Sequence, residues 1–293
     1  MVKAKVIEEN DEKISILLSD ADRAFVNAIR RTLLSDTPKM AIDTVRFEMG
    51  TIEQDGEIWE TNGPLPDEVV AQRLAMIPIP TKHDEFHFQD SCPSCAELVV
   101  EDRGCPLCTM IYTCKAFGSE GGRTVTAGDM SFLGAGGSIS EKYHSIPITR
   151  LSHGQMIEFY ATAIMGRGRD HAKWSPVCGI AFSPRQVGVL NVKTRSKILW
   201  DLNLTITAKD FSSGRLEDIG KVAQLIDDLH HVGEGTEESR EFKDAITLEE
   251  VPGEFILSFE SDGSMTARVA FQKAIQELAG RFGELEEDLV TVL

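Results

Sequence analysis

The sequence predicts an α+β fold, because helical and extended patterns occupy different stretches of the chain. Apolar residues recur every three or four positions in residues 21–34 and again from about Thr266 to the C-terminus, which is typical of amphipathic helices. Between these helices, short alternating or apolar runs are separated by glycine and proline, which indicates β-strands. No repeat with a period of 20–50 residues is visible, so a repeat architecture is not indicated.

The chain begins with a predicted hairpin, which leads into the first helix. Residues 3–18 alternate between polar and apolar side chains, with polar residues in the middle that suit a turn. Ser19 and Asp20 are good helix N-caps, because their side-chain oxygens can accept hydrogen bonds from free backbone N–H groups. The helix follows over residues 21–34, and the stretch Met40–Met49 begins a new extended segment after a proline.

The elements that follow are mostly extended until the last third of the chain. Pro66 suits the first turn of a short helix over residues 67–76, because the N–H that proline lacks is not needed there. Apolar residues at helical spacing predict another helix at 216–232. Further strands are expected at 111–117, 146–151, 156–165, 177–182 and 255–259, with two strand-like runs within 187–207 and a glycine-rich loop at 118–137.

The composition is that of a folded protein with an acidic surface. The 293 residues are long for one domain, and 42% of them are hydrophobic and 26% charged. Asp and Glu number 47 against 30 Lys and Arg, which gives a net charge of −17. Such a charge repels phosphate groups, so we expect neither primary DNA binding nor attachment to anionic membranes. Since neither a transmembrane run nor a secretory signal is recognised, a cytoplasmic location is expected.

The most specific chemical motif is a pair of C-P-x-C sequences, Cys92–Cys95 and Cys105–Cys108. Each can direct two thiolates to one cation, and the four together form a closed tetrahedral site, which predicts a structural zinc ion. The spacing differs from the compact cysteine run of ferredoxins, so an iron–sulfur cluster is disfavoured. Substitution of ligands by His83 or His87 is an alternative, and four free thiols without a metal is another.

A basic loop, Gly166–Pro176, stands out in this acidic chain. It resembles the start of a dinucleotide-binding fingerprint, but His171 replaces the third glycine and the proline prevents a long helix, so that interpretation is rejected. Two interpretations stay open, contact with the acidic surface of a partner or a solvated loop. No nucleophile elbow, phosphate-binding loop or metalloprotease motif is visible, so no catalytic residue is predicted.

Three blocks of sequence, in order, resemble the alpha-like subunits of RNA polymerase, and the archaeal D-type members of that family most of all. The blocks are Ser19–Leu34 followed by Met40–Asp43, Leu65–Leu74 with Ile77–Ile79, and Gly166–Val177. The closing strand, turn and helix also agree in order. The resemblance spans most of the chain except about 185–250, and three ordered blocks together are highly specific.

The resemblance implies a non-catalytic assembly scaffold of DNA-dependent RNA polymerase, with a dimerisation domain that is split in sequence. Its parts would be residues 1–46, 177–184 and 252–293. An inserted, mainly β domain at 47–176 would carry the four-cysteine site. A smaller α/β insertion at 185–251 would be a ferredoxin-like remnant without a cluster, since no cysteine follows Cys178.

The implied partners are other polymerase subunits: a small L-type subunit as the heterodimer partner, the small N- and P-type subunits and the second-largest subunit. The dimer surface would use Phe25, Ile29, Leu33, Phe271, Ile275, Leu278 and Phe282. Other partner contacts would come from Arg30, Arg31, His171, Lys173 and Trp174. The rival hypothesis from a different class of protein is a zinc-containing soluble metabolic enzyme.

Overall fold

The computed structural model of the protein describes residues 2–54, 56–134, 136–202, 204–232 and 237–292. Within these ranges the chain combines β-sheets with α-helices, which confirms the mixture of secondary structure that the sequence predicts. The chain divides into two compact units. Unit 1 consists of residues 1–8, 15–27 and 181–258, and unit 2 of residues 9–14, 28–180 and 259–293.

The helices and strands agree well with the sequence pattern. The strands are β1 (Lys3–Glu9), β2 (Lys13–Ser19), β3 (Lys39–Phe47), β4 (Thr51–Gln54), β5 (Glu57–Glu60), β6 (Thr109–Phe117), β7 (Arg123–Thr126), β8 (Ser131–Phe132), β9 (Pro147–Leu151), β10 (Met156–Gly166), β11 (Val177–Leu190), β12 (Arg215–Leu216) and β13 (Ile246–Ser261). The helices are α1 (Arg23–Ser35), α2 (Asp67–Ala75), α3 (Lys197–Asp201), α4 (Ile219–His230), α5 (Glu237–Phe242) and α6 (Ala267–Val292). The four helices that the sequence predicts, α1, α2, α4 and α6, are all present, with ends shifted by a few residues.

Unit 1 holds most of a five-stranded sheet with the strand order β1-β2-β13-β11-β12. In β2, Ile16 and Leu18 are buried, as the alternating pattern predicts. The edge strand β1 is exposed along its whole length. Strands that are far apart in sequence therefore lie side by side in this sheet.

The first helix is capped by Asp22, and the prediction of Ser19 or Asp20 as the cap was wrong. The Asp22 carboxylate accepts a hydrogen bond from the backbone N–H of Phe25 at 2.7 Å. Asp20 takes a positive φ of 56°, which places it in the turn before the helix. Asp22 has the same capping chemistry as Ser19 and Asp20, but the sequence analysis did not consider it.

Residues 190–248 of unit 1 enclose a small core of their own, to which Leu199, Leu225 and Phe242 contribute buried side chains. The rings of Trp200 and Phe211 lie 5.8 Å apart within it. The prediction of two strand-like runs in 187–207 was wrong for the second run, where α3 forms. Short apolar runs fit a buried helix as well as a strand, which explains the error.

Unit 2 contains a four-stranded antiparallel sheet with the order β3-β10-β6-β8. β10 pairs with β3 and β6 along most of its length. Tyr112 in β6 and Phe159 in β10 belong to the core on one face of this sheet, and α2 adds Val70 and Leu74 to the same core. β7 and β8 lie in the stretch 118–137, which the sequence predicted to be a loop. Since β6 begins directly after the last cysteine of the second C-P-x-C motif, the sheet fixes one end of the metal site.

Unit 2 ends with the long helix α6. The Thr266 hydroxyl accepts a hydrogen bond from the backbone N–H of Val269 at 3.3 Å and so caps the first turn of α6. Ala267, Ala270 and Ala274 are buried, so this face of the helix is closely packed. No helix in the part of the chain that the structure describes is long and apolar enough to cross a membrane.

Candidate metal centre and partner-contact surfaces

Four cysteine thiols converge at the start of β6, with all their sulfur atoms within 4.8 Å of one another. The Sγ atoms of Cys92 and Cys105 are 3.5 Å apart. The Sγ atom of Cys108 lies 3.8 Å from that of Cys105 and 3.9 Å from that of Cys95. A tetrahedral zinc–thiolate site with Zn–S bonds of about 2.3 Å separates its sulfurs by about 3.8 Å. The four thiols therefore fit one such ion.

Two equivalent turns bring these thiols together. The backbone carbonyl of Cys92 accepts hydrogen bonds from the N–H groups three and four positions later, at 3.1 and 2.9 Å. The carbonyl of Cys105 accepts the matching two bonds, both at 3.0 Å. Each C-P-x-C motif thus folds into the same tight knuckle, which is the local geometry that its spacing predicts.

The surroundings of the sulfurs shift the pKa values of the thiols in opposite directions. The backbone N–H of Gly104 donates to the Cys95 sulfur and, together with hydrogen bonding to Cys105, lowers the pKa of the Cys95 thiol to about 7. Burial raises the pKa of Cys108, because the charged form is poorly solvated there. A positive ion would stabilise all four thiolates at once, and four sulfur ligands leave no open position for a substrate. The arrangement is that of a structural centre.

The two histidines that were alternative ligands lie outside this cluster. In the described ranges, the group of side chains that could hold a metal consists of the four cysteines. His83 Nε2 lies 2.9 Å from the backbone carbonyl of Pro38, and burial lowers the pKa of this imidazole. Cys114 is buried in β6, and its burial raises the pKa of the thiol to about 12. Cys178, in the apolar start of β11, is exposed.

The basic loop that follows β10 is largely held against its own chain. The Lys173 ammonium pairs with Asp43 at 2.7 Å and lies 4.2 Å from the centre of the Trp174 ring. The Trp174 indole N–H donates to the backbone carbonyl of Ile164 at 3.2 Å. Lys173 and Trp174 therefore make intramolecular contacts, and His171 is the exposed residue of the three.

The two glycines of this loop are required by close packing. A Cβ atom at Gly168 would lie 2.0 Å from the backbone carbonyl oxygen of Leu34, and one at Gly166 would lie 2.3 Å from the Trp174 indole. The backbone N–H of Arg169 also donates to the carbonyl of Ser35 at 2.9 Å, next to the same helix end. The G-x-G pattern that resembled a phosphate-binding motif thus lets the loop pack against the C-terminus of α1.

Replacing Gly168 with alanine is expected to lower the free energy of unfolding by about 1–3 kcal/mol, because the new methyl group cannot fit against a backbone carbonyl. Urea unfolding followed by circular dichroism measures the change. The matched control is Gly280→Ala in α6, where an added Cβ meets no atom within 4 Å. That control should raise helix stability by about 1 kcal/mol. A Gly168→Ala protein as stable as the wild type would contradict the packing argument.

A cluster of charges fixes α6 to the same loop. The Asp36 carboxylate is 8% exposed and accepts hydrogen bonds from both terminal nitrogens of Arg281, each at 2.6 Å. Arg169 lies 3.7 Å from this carboxylate. Arg167 donates to the backbone carbonyl of Asp36 and also to Glu277, the latter at 2.6 Å. The sequence analysis missed this cluster, since Asp36 and Arg281 are 245 positions apart and carry no motif.

The apolar stripe of α6 emerges from the core of its own chain toward the C-terminus. Phe271 and Ile275 are half-buried, and so is Leu278. Phe282 is 59% exposed, and two leucines further along the same stripe are also exposed, Leu285 at 52% and Leu289 at 50%. The last turns of the helix therefore present large apolar side chains to solvent.

The residues of α1 that were predicted to contact partners differ in how far their side chains are exposed. Ile29 and Leu33 are fully buried within this chain. Phe25 and Arg30 are half-buried, whereas Arg31 is exposed. Through α1, a partner could reach Phe25 and Arg31 but not the two buried side chains without a rearrangement.

A closed thiolate centre and a helix that presents apolar side chains at the surface are features of an assembly protein. The family profile described as the RNA polymerase Rpb3/Rpb11 dimerisation domain matches residues 15–282 of the chain. The chain therefore belongs to this family of RNA polymerase subunits. The resemblance inferred from the three sequence blocks is thereby confirmed.

Two curated relatives extend this similarity over almost the whole chain, and a third is similar over part of it. The DNA-directed RNA polymerase subunit Rpo3 of Picrophilus torridus is 32% identical over 97% of this chain and 98% of the relative. The Rpo3 subunit of Thermoplasma volcanium is 31% identical over 98% of this chain and 99% of the relative. That of Thermococcus kodakarensis is 36% identical over 60% of this chain and 57% of the relative.

Proposed function

We propose that this chain is a non-catalytic scaffold subunit of an archaeal-type DNA-dependent RNA polymerase. It pairs with a small L-type subunit, and the pair then binds the small N- and P-type subunits and the second-largest subunit in the cytoplasm, without gripping DNA itself. The match to a dimerisation domain over residues 15–282 carries this proposal. The names of the full-length relatives support it, and neither comparison favours the rival hypothesis of a metabolic enzyme.

The surface proposed for the L-type partner is the apolar stripe of α6. Its half-buried part, Phe271–Leu278, is continuous with the exposed side chains from Phe282 onward. Large exposed apolar residues in a row on one helix are unfavourable in water, and a second helix packed along them would remove that cost. The ion pairs of Asp36 hold the helix at Arg281, directly before the exposed part begins.

The proposed domain organisation follows the same scheme. The dimerisation domain is split over residues 1–46, 177–184 and 252–293, and the metal-bearing insertion spans 47–176. The neighbouring positions of β2, β13 and β11 in one sheet support a domain assembled from separate stretches. The separate core within 185–251 supports a small insertion there, which we propose to be a cluster-free ferredoxin-like remnant.

Zinc is the metal that we propose for the four-cysteine centre. Cys92, Cys95, Cys105 and Cys108 would hold it, and the ion would supply a fixed cross-link between the two knuckles. Thiolate ligands at tetrahedral separations suit zinc, and the knuckle spacing departs from that of compact iron–sulfur motifs.

Replacing Phe282 with aspartate is expected to weaken pairing with the L-type subunit about thirtyfold or more. An aromatic anchor of an interface contributes about 2 kcal/mol, and a carboxylate placed in an apolar seam has no partner. The side chain is exposed in the isolated chain, so the fold should be retained. Co-expression with the small subunit, followed by titration of the purified proteins in a calorimeter, measures the change.

The matched control for this experiment is Gln276→Asp, which adds the same charge on an exposed position of the same helix. It should leave the dissociation constant within a factor of two or three. Failure of the wild-type chain to form a heterodimer at all would count against the proposed function. Equal weakening by both variants would show that general charge, and not the apolar stripe, decides the pairing.

A further inference from the structure

The loop between the two cysteine knuckles exposes three consecutive large apolar side chains. Leu98, Val99 and Val100 are 45%, 62% and 69% exposed. No second run of three such residues occurs in the ranges that the structure describes. Single exposed apolar residues are ordinary, but a run of three is unfavourable unless another surface covers it.

This loop is fixed in shape. The Arg103 guanidinium folds back and donates to the backbone carbonyls of Leu98 and Ala96 at 3.0 and 3.1 Å. The residues between form a single 3₁₀ turn, Val100–Asp102. Cysteines of the metal centre flank the loop on both sides. A partner would therefore bind a surface that is already ordered, which removes part of the entropy loss on binding.

A groove of about 560 Å³ adjoins the loop at the second knuckle. Gly104 and Leu107 belong both to the knuckle segment and to the wall of the groove. The apolar part of the wall continues through Ile111 and Leu133, which are also exposed. The loop and the groove adjoin along the chain at Gly104, and together they are called the knuckle surface below.

The exposed charges of the knuckle surface are predominantly acidic. They are Glu97, Glu101 and Asp102 on the loop and Asp84 and Glu85 on the groove. The basic residue of the loop, Arg103, is engaged with carbonyls, and Lys82 pairs with Glu85 at 3.0 Å. Such a surface repels nucleic acids and anionic lipids, and it attracts lysine and arginine that stand beside apolar side chains.

We infer that the knuckle surface is a docking site for a segment of another protein in which apolar side chains are flanked by lysine or arginine. The apolar side chains cover Leu98–Val100 and enter the groove, and the basic ones pair with Glu101 and Asp102. The site consists of residues other than those of the α6 stripe, so this inference goes beyond the heterodimer proposed above.

The test uses the full chain with its metal bound and a synthetic amphipathic peptide of leucine and lysine. Fluorescence anisotropy gives the affinity, and amide hydrogen exchange locates the bound peptide. We expect protection of residues 96–107, no binding of a leucine–glutamate peptide of equal length, and at least tenfold weaker binding after the double change Val99→Ser and Val100→Ser. Both valines are exposed, so this variant should keep its metal content.

A charge-matched pair of variants separates docking from general attraction to an acidic protein. The double change Glu101→Lys and Asp102→Lys should weaken binding at least tenfold. The double change Glu53→Lys and Glu57→Lys in the β4–β5 hairpin alters the net charge equally and should leave binding within twofold. The inference fails if both pairs weaken binding equally, if the valine changes have no effect, or if protection is confined to α6. Tighter binding of an RNA oligonucleotide or of phosphatidylglycerol vesicles at these residues would overturn it as well.

Discussion

Replacing Cys105 with serine is expected to release the metal and to unfold the segment around the two knuckles. The buried cluster of that segment consists of the cysteine side chains themselves, so no larger apolar core holds it together. A structural zinc ion contributes about 10–16 kcal/mol in small zinc domains, and this contribution depends on all four thiolates. The hydroxyl of serine is a poor substitute, so most of that contribution should be lost locally.

Elemental analysis and hydrogen exchange measure this effect together. We expect one zinc per wild-type chain, a value near zero for Cys105→Ser after dialysis against a chelator, and loss of protection around residues 91–108. The matched control is Cys178→Ser, because Cys178 is an exposed free thiol outside the cluster. It should keep the full metal content. A Cys105→Ser protein that retains its zinc would disprove a four-thiolate site, and iron with visible absorbance in the wild type would disprove the choice of metal.

The sequence predicted best what is encoded locally. Each knuckle joins thiols three positions apart, so the spacing alone indicated the metal site whose sulfurs the structure brings together. The same holds for α2, which Pro66 located, and for α6, which its apolar periodicity located, both to within a few positions. The wrong choice of N-cap for α1 also arose within a few residues, because the side chains of Ser19, Asp20 and Asp22 are all suited to cap a helix.

Periodicity identifies an apolar face but does not show what covers it. Ile29 in α1 and Phe282 in α6 belong to similar stripes, yet the first is fully buried and the second is exposed. The basic loop was ambiguous for the same reason, because the partner of Lys173, Asp43, lies 130 positions earlier in the chain. Contacts between distant stretches depend on the complete fold, and a single sequence contains no local signal for them.

Replacing Asp262 with asparagine is expected to destabilise unit 2 by about 3–5 kcal/mol, because it leaves the buried ammonium of Lys39 without a countercharge. The Lys39 side chain is only 5% exposed and pairs with Asp262. It also donates to the backbone carbonyl of Lys173 at 2.7 Å and approaches that of Ser175 at 3.5 Å. Two carbonyl dipoles do not replace a full negative charge, so the variant should lose much of the pairing energy.

Asparagine is the right substitution because its side-chain oxygen can still accept the hydrogen bonds that Ser264 donates to Asp262, at 2.6 Å from the hydroxyl and 3.1 Å from the backbone N–H. The turn before α6 should therefore survive, and urea unfolding reports the loss of the charged acceptor oxygen that faces Lys39. Adding Lys39→Met should recover most of the loss, since no buried charge is then left.

The exposed pair Lys82–Glu85 is the control, where Glu85→Gln should change the free energy of unfolding by less than about 1 kcal/mol. If the double variant were as unstable as Asp262→Asn alone, the pair would not be coupled. Recovery would instead show that the unpaired Lys39 charge causes the loss, and that the ion pair between β3 and the turn before α6 is coupled.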